Sequence, residues 1–184
     1  PDTLGYNPPK LFSFDPEQAR ALLAEAGYPD GQGWPGLEIT YNTNEDHRKI
    51  AVAVQQMWKD ELGIDVSITN QEWKVYLNTV SQGEFQVARR GWIGDYVDAN
   101  NFLDLFLANG GNNNTGYANA EFDDIILNQA PKAASREERY QLFFQAETMM
   151  MQEMPIIPFY TYTSKRLIHP SVSGIYPNIM DSLN

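Results

Sequence analysis

The feature that most constrains this chain is a change of hydrophobic period, repeated across residues 37–90. Leu37-Glu38-Ile39-Thr40-Tyr41 alternates with the two-residue period of a half-buried strand. From Asn44 the spacing lengthens. Ile50, Ala53, Val54, Met57, Trp58 and Leu62 fall on one helical stripe, with Asn44 as its cap and Gly63 as its stop. Ile64, Val66 and Ile68 return to period two. Glu72 to Ser81 reads as a short helix carrying Trp73, Tyr76, Leu77 and Val80, and Gln82-Gly83 turns into a third strand, Phe85 to Arg90. Strands separated by helices pair in parallel through right-handed crossovers. The expected fold class is therefore α/β, a mixed sheet with strand–helix alternation flanked by helices. Ligands of such sheets collect at the carboxyl ends of the strands, which directs attention to Arg89 through Asp95.

The flanks are simpler. Asp15-Pro16 is an N-cap followed by proline at the first helical position, and Ala19, Leu22, Leu23 and Ala26 continue the helix to Gly27. After a polar loop, Asn109 to Gly116, helices are predicted at about Glu121–Gln129 and Ser135–Glu153. Ser135 and Glu138 form a capping box for the second, whose apolar face is Leu142, Phe143, Ala146, Met149 and Met150. Ile156 to Thr163 and Arg166 to Ile168 have strand character. Asn113-Asn114-Thr115 matches a glycosylation acceptor, a pattern short enough to arise by chance.

Composition narrows the function. The 24 acidic and 13 basic residues among 184 give a net charge of −11, so there is no basic stripe for nucleic acid or for an anionic membrane surface. Cysteine is absent, which removes thiolate zinc sites, thiol catalysis and disulfides. No apolar run is long enough to span a membrane. The chain opens on Pro1-Asp2-Thr3 without a signal peptide, as expected of a processed protein or an excised piece. There is no nucleophile elbow and no phosphate loop. Carboxylate neighbours such as Asp95/Asp98 and Asp123/Asp124 are common by chance in so acidic a chain. His47 and His169 are the only histidines, and His169 lies in the tail. No metal, no cofactor and no enzymatic role are expected.

Within seven residues, Arg89, Gly91, Trp92 and Asp95 bring together a cation, a bare turn, a flat aromatic and an anion at a strand end. Each has an ordinary explanation: Arg89 on a sheet edge, Trp92 in the core, Asp95 capping the next helix or closing a turn. As a cluster they match a polar ligand, with the two charges holding the ends of a zwitterion and the ring as a stacking floor. Strand parity puts Arg89 and Trp92 on opposite faces, so a bend at Gly91 is required. His47, at the start of its helix, lies near the positive helix end, which lowers its proton affinity.

The same residues carry a resemblance. Tyr6-Asn7-Pro8-Pro9, Asp15-Pro16, Ala21 through Tyr28, Tyr41-Asn42-Thr43 with His47, Gln71-Glu72-Trp73-Lys74, Ala88-Arg89 with Gly91-Trp92 and Asp95-Tyr96, Asn113 through Tyr117 and Pro155-Ile156-Ile157-Pro158 run through nearly the whole chain. In these pieces the chain resembles the C-terminal lobe of the bacterial oligopeptide-binding proteins, the extracellular solute-binding components of peptide ABC transporters. The resemblance implies a periplasmic-binding-protein-like lobe over residues 1–160 and, over 161–184, a return segment toward a missing N-terminal domain. It implies oligopeptides as ligands, membrane permease subunits as partners of the full-length protein, and no nucleic acid. It also implies a periplasmic or extracellular location, with lipid anchoring through a missing N-terminus left open.

Residue by residue, Asp95 resembles the carboxylate that takes the peptide's α-ammonium, with Trp92 lining the cleft beside it. The backbone about Gly91 and Ile93 would pair with the peptide as an added strand. Arg89 and His47 resemble groups that meet the peptide carboxylate, and Trp73 a pocket wall. Arg90 falls where the pattern has a small residue. Val80 stands where that pattern often places a second arginine, so the preferred peptide is open and murein or other modified peptides are an alternative; a signalling or chaperone-like relative that keeps the fold is a separate alternative.

Overall fold

The structure, a computed structural model, describes residues 5–163, 165 and 167–175. The chain divides into two compact units, Phe12–Gly91 and the pair of segments Pro1–Leu11 and Trp92–Asn184.

The first unit contains the predicted alternation. Strands β1 (Leu37–Asn42), β2 (Val66–Gln71) and β3 (Val87–Ala88) form a wholly parallel sheet in the order β2-β1-β3. Helices α2 (Glu45–Leu62) and α3 (Trp73–Gln82) make the crossovers, after α1 (Pro16–Glu25). Leu37 lies opposite Val66 and Ile39 opposite Val87. With β1 central, the two crossovers run in opposite directions, so right-handed connections place α2 and α3 on opposite faces. Burial agrees: Ile39, Thr40 and Tyr41 are consecutive and all buried, as in a strand covered on both sides. Ile39 and Tyr41 share a core with Ala51, Val54, Ile64 and Val66, while Tyr76, Thr79 and Val80 are the buried residues of α3.

The caps are where the sequence puts them. The Asp15 carboxylate accepts from the Gln18 amide at 2.9 Å, and the Asn44 side chain accepts from the amides of Asp46 and His47. The α1 stripe is less buried than predicted: Leu23 packs against the core, but Leu22 is exposed. Gly63 ends α2 in the left-handed region at φ 68°, and a Cβ there would lie 2.6 Å from the Asp30 carbonyl oxygen. Gly31 approaches the Gly63 carbonyl as closely. Two backbones in contact leave no room for a side chain on either.

β3 is shorter than the predicted Phe85–Arg90 because side chains replace its ladder. The Glu38 amide donates to the Gln86 amide oxygen at 2.7 Å. Arg89 still donates its N–H to the Thr40 carbonyl at 2.9 Å, but its own carbonyl accepts from the Tyr76 hydroxyl.

The second unit is helical where described. It comprises α4 (Asn100–Leu103) with a 3-10 turn over Asp104–Phe106, and α5 (Ala120–Asp124) continuing into a π-helical segment, Ile125–Gln129. A 3-10 turn over Ala130–Lys132 then leads to α6 (Arg136–Glu153). Phe122, Ile125, Phe143 and Ala146 are fully inaccessible at its centre, joined by Leu103, Met150, Met151 and Tyr6 from the lead-in. Ser135 accepts from the Glu138 amide, as a capping box requires, but the Glu138 carboxylate reaches the Ala134 amide. Residues 156–163 lie outside any strand, contrary to expectation: the one sheet among the described residues is the three-stranded one, and their alternating apolar side chains are largely exposed. Of the expected strand Arg166–Ile168, Leu167 and Ile168 also lie outside any strand, and Arg166 is outside the described residues.

The Asn113 side chain closes its own loop. Its amide nitrogen donates to the carbonyls of Phe106, Leu107 and Tyr117, and its oxygen accepts from Thr115. With both ends engaged inside the fold, Asn113 is unsuited to carry a glycan.

Candidate functional site

In a sheet ordered β2-β1-β3 the chain reverses direction between β1 and β3, and the crevice at their carboxyl ends is the position where such sheets bind ligands. In the first unit that position holds two of the predicted residues. His47, in the first turn of α2, sets its Nδ1 2.9 Å from the Asn42 side-chain oxygen at the end of β1. Its proton affinity is lowered, as expected, but chiefly by burial and then by the nearby positive charge of Arg89; the Asn42 contact opposes the shift. The ring is therefore less readily charged than an ordinary imidazole.

Arg89 is half-buried and Arg90 exposed. The backbone clamp on Arg89, between Thr40 and Tyr76, distinguishes the two arginines physically. Trp73 opens α3 with half its surface exposed, stacked at 6.1 Å on the buried ring of Tyr76. Gly91 is exposed and ends this unit.

In the second unit, Trp92, Ile93 and Asp95 lie on the segment that leads into α4. Trp92 is half-buried and donates its indole N–H to the Asn101 side-chain oxygen at 2.8 Å. Ile93 is 80% exposed, an apolar side chain with no core to enter. Asp95 is exposed, and among the described residues its carboxylate accepts no hydrogen bond and joins no ion pair. Asp95 does not act as a helix cap, one ordinary explanation for it: α4 has Ala99 at its N-cap and no side-chain cap bond, while Asp98 accepts from the Asn100 amide at 2.9 Å in a local turn. Asp98 is also gripped by both arms of Arg139, at 2.7 and 2.9 Å. Burial alone would raise the Asp98 carboxyl, but these donors and the Arg139 charge hold it below the ordinary range.

Asp104 has the opposite character. Burial raises its proton affinity, a bond to Tyr96 opposes that rise, and the charge of Asp95 adds to it. Asp104 also accepts from the Asn100 side chain at 3.4 Å, and Asp95 lies close enough for its charge to be felt there. Among residues 90–94 no backbone N–H or C=O is hydrogen-bonded within the described residues. Such a segment is open to main-chain pairing.

Two contributors were not legible beforehand. Asn101 gives one oxygen to the Trp92 ring and, at 3.3 Å, to the Asp95 amide; its only sequence signal is a polar residue beside the apolar Phe102 and Leu103. Asp104 was hidden among many acids. No group of His, Asp and Glu that could hold a metal occurs among the described residues, and none of their helices is long and apolar enough to cross a membrane.

In the first unit the parallel sheet carries Arg89 at the end of its third strand with His47 nearby, and the second unit by itself presents the Trp92 ring and the exposed Asp95 carboxylate. The chain belongs to the bacterial extracellular solute-binding proteins, family 5 (middle), whose profile matches residues 1–114. It is 41% identical over 154 residues to the oligopeptide-binding protein OppA of Bacillus subtilis, covering 83% of this chain and 28% of that protein. It is 42% identical over 161 residues to the periplasmic murein peptide-binding protein MppA of Escherichia coli, covering 87% and 29%. The solved structure of the Escherichia coli murein tripeptide binding protein MppA superposes with a TM-score of 0.84 at 40% identity, over 92% of this chain and 34% of that one. The chain thus spans less than a third of the curated relatives it matches.

Proposed function

We propose that this chain is the peptide-binding lobe of an ABC transporter substrate-binding protein. Asp95 receives the α-ammonium of an extended oligopeptide, and Trp92 lines the space beside it. The main chain at Gly91 and Ile93 pairs with the peptide backbone, Arg89 and His47 meet its carboxylate, and Trp73 forms a pocket wall. Residues 1–160 make up the lobe and 161–184 return toward the N-terminal domain. The full-length protein works outside the cytoplasm, in the periplasm or held at the membrane by a lipid, and delivers its peptide to permease subunits. Main-chain pairing is indifferent to side chains, so it tolerates many sequences, while charged groups at the termini fix register. No catalytic step is needed by such a protein.

The observation that supports this reading is the Asp95 carboxylate: exposed, without a hydrogen bond or ion pair among the described residues, capping no helix, and three residues from a pinned aromatic ring. A charge-assisted bond contributes roughly 1.5–3 kcal/mol. Asp95→Asn in the full-length protein is expected to weaken binding of a tri- to pentapeptide pool by that amount in calorimetric titration. An unchanged dissociation constant would remove the assignment.

A second reading is a preference for murein peptides. Val80 occupies the place of a second cation in the oligopeptide pattern and is 1% exposed, inside the packing of α3. A site with one fewer cation at its carboxylate end suits a different peptide terminus. Titrating murein tripeptide beside the linear pool distinguishes the two: the tighter ligand names the class.

A further inference from the structure

We propose that Asn101 is the positioning residue that sets the spacing between the Trp92 ring and the Asp95 carboxylate. The inference rests on the assignment of Asp95 as the ammonium partner. Asn101 lies in the first turn of α4 and is 3% exposed, one of the few buried polar side chains among the described residues. A buried amide oxygen must be satisfied, and with two lone pairs it can take two donors. Both come from the segment that carries the site: the Trp92 indole N–H at 2.8 Å and the Asp95 backbone N–H at 3.3 Å. One atom therefore ties the ring and the carboxylate-bearing residue to a common point.

The anchor is itself held. The Asp98 carboxylate, which accepts from the first amide of α4, is locked by the two-armed bond to Arg139, whose guanidinium lies 4.4 Å above the Phe143 ring at the centre of the α6 core. Gly94, between the two tethered residues, packs closely: a Cβ there would meet the Phe102 ring at 3.4 Å and the Asn101 side-chain oxygen at 3.5 Å. Rigidity thus passes from α6 through Arg139, Asp98 and α4 to Asn101, and from there to a segment with no strand or helix of its own. Preorganising a charged group in this way spares the ligand the cost of ordering it.

The test compares a peptide with a free α-ammonium and the same peptide N-acetylated, each titrated into the full-length protein, Asn101→Ala, Trp92→Phe and Asp95→Asn. The unmutated protein is expected to prefer the free form, and Asp95→Asn to abolish the preference. If Asn101 positions Asp95, Asn101→Ala erodes the preference about tenfold, the equivalent of one hydrogen bond, while the acetylated peptide binds nearly as before. A role confined to folding would weaken both forms equally or lower the melting temperature with the ratio intact, and either result overturns the proposal. Should Asn101→Ala fail to fold, Trp92→Phe decides. Removing the indole N–H releases one of the two tethers and is expected to reduce the preference severalfold; an unchanged ratio overturns the proposal. Equal affinity for both peptides in the unmutated protein would instead refute the ammonium assignment, and the positioning role with it.

Discussion

Glu147 shows how single residues set the pH response of the second unit. Burial raises its proton affinity, and the Tyr6 hydroxyl, donating at 2.5 Å, offsets part of the rise. The same burial, with the Glu147 charge, pushes the Tyr6 phenol far above its ordinary range. A carboxyl raised in the folded state binds its proton more tightly there than in the unfolded chain. Its stabilising contribution is complete below the ordinary carboxylate range and is lost as pH rises through the raised value. Glu147→Gln keeps an acceptor for Tyr6 and removes the charge. It is expected to raise the melting temperature near pH 7 relative to the unmutated protein and to narrow the difference near pH 4, in thermal scans across that range. A variant destabilised at neutral pH would show that the charge itself is required. Asp98 runs the other way: Arg139 holds it low, so its contribution is present above the ordinary carboxylate range and fades in acid. None of this was readable along the chain, because Tyr6 and Glu147 are 141 residues apart.

At the scale of elements, agreement and disagreement divide by range. α2 begins at Asn44 and stops at Gly63 as its caps dictate, because capping is decided within a turn of the chain. Gly63→Ala combines a left-handed backbone with a Cβ 2.6 Å from the Asp30 carbonyl. It is expected to lose about 1–3 kcal/mol or more of stability in denaturant titration; a neutral result would mean that the turn shifts freely. β3 was over-read because Gln86 and Tyr76 supply bonds that the ladder would have made, and side-chain substitution of that kind leaves no periodic trace. Val80 lies on the helical stripe that the spacing identifies, and it is buried. Val80→Arg would force a charge into that packing, so it is expected to unfold the first unit, seen as lost helical signal, rather than to restore a second cation for the ligand.

At the scale of the whole molecule, this chain spans less than a third of the curated relatives it matches, so binding is properly measured on the full-length protein. With Arg89 as the carboxylate partner, Arg89→Gln is expected to weaken a peptide with a free C-terminus by about 1.5–3 kcal/mol and its C-terminal amide much less. Equal losses for both would assign Arg89 to the sheet alone. The sequence by itself determined the strand–helix alternation, the caps of α1 and α2, the absence of cysteine chemistry and, through its motifs, the family. These are local signals, repeated or spaced within a few turns. Only the tertiary structure decided that β1 lies between β2 and β3, that Tyr6 enters the second core, that Asp98 pairs with Arg139, and that Asn101 ties Trp92 to Asp95. Each of these depends on which distant groups compete for the same donor, acceptor or cavity, and that competition exists only once the chain has folded.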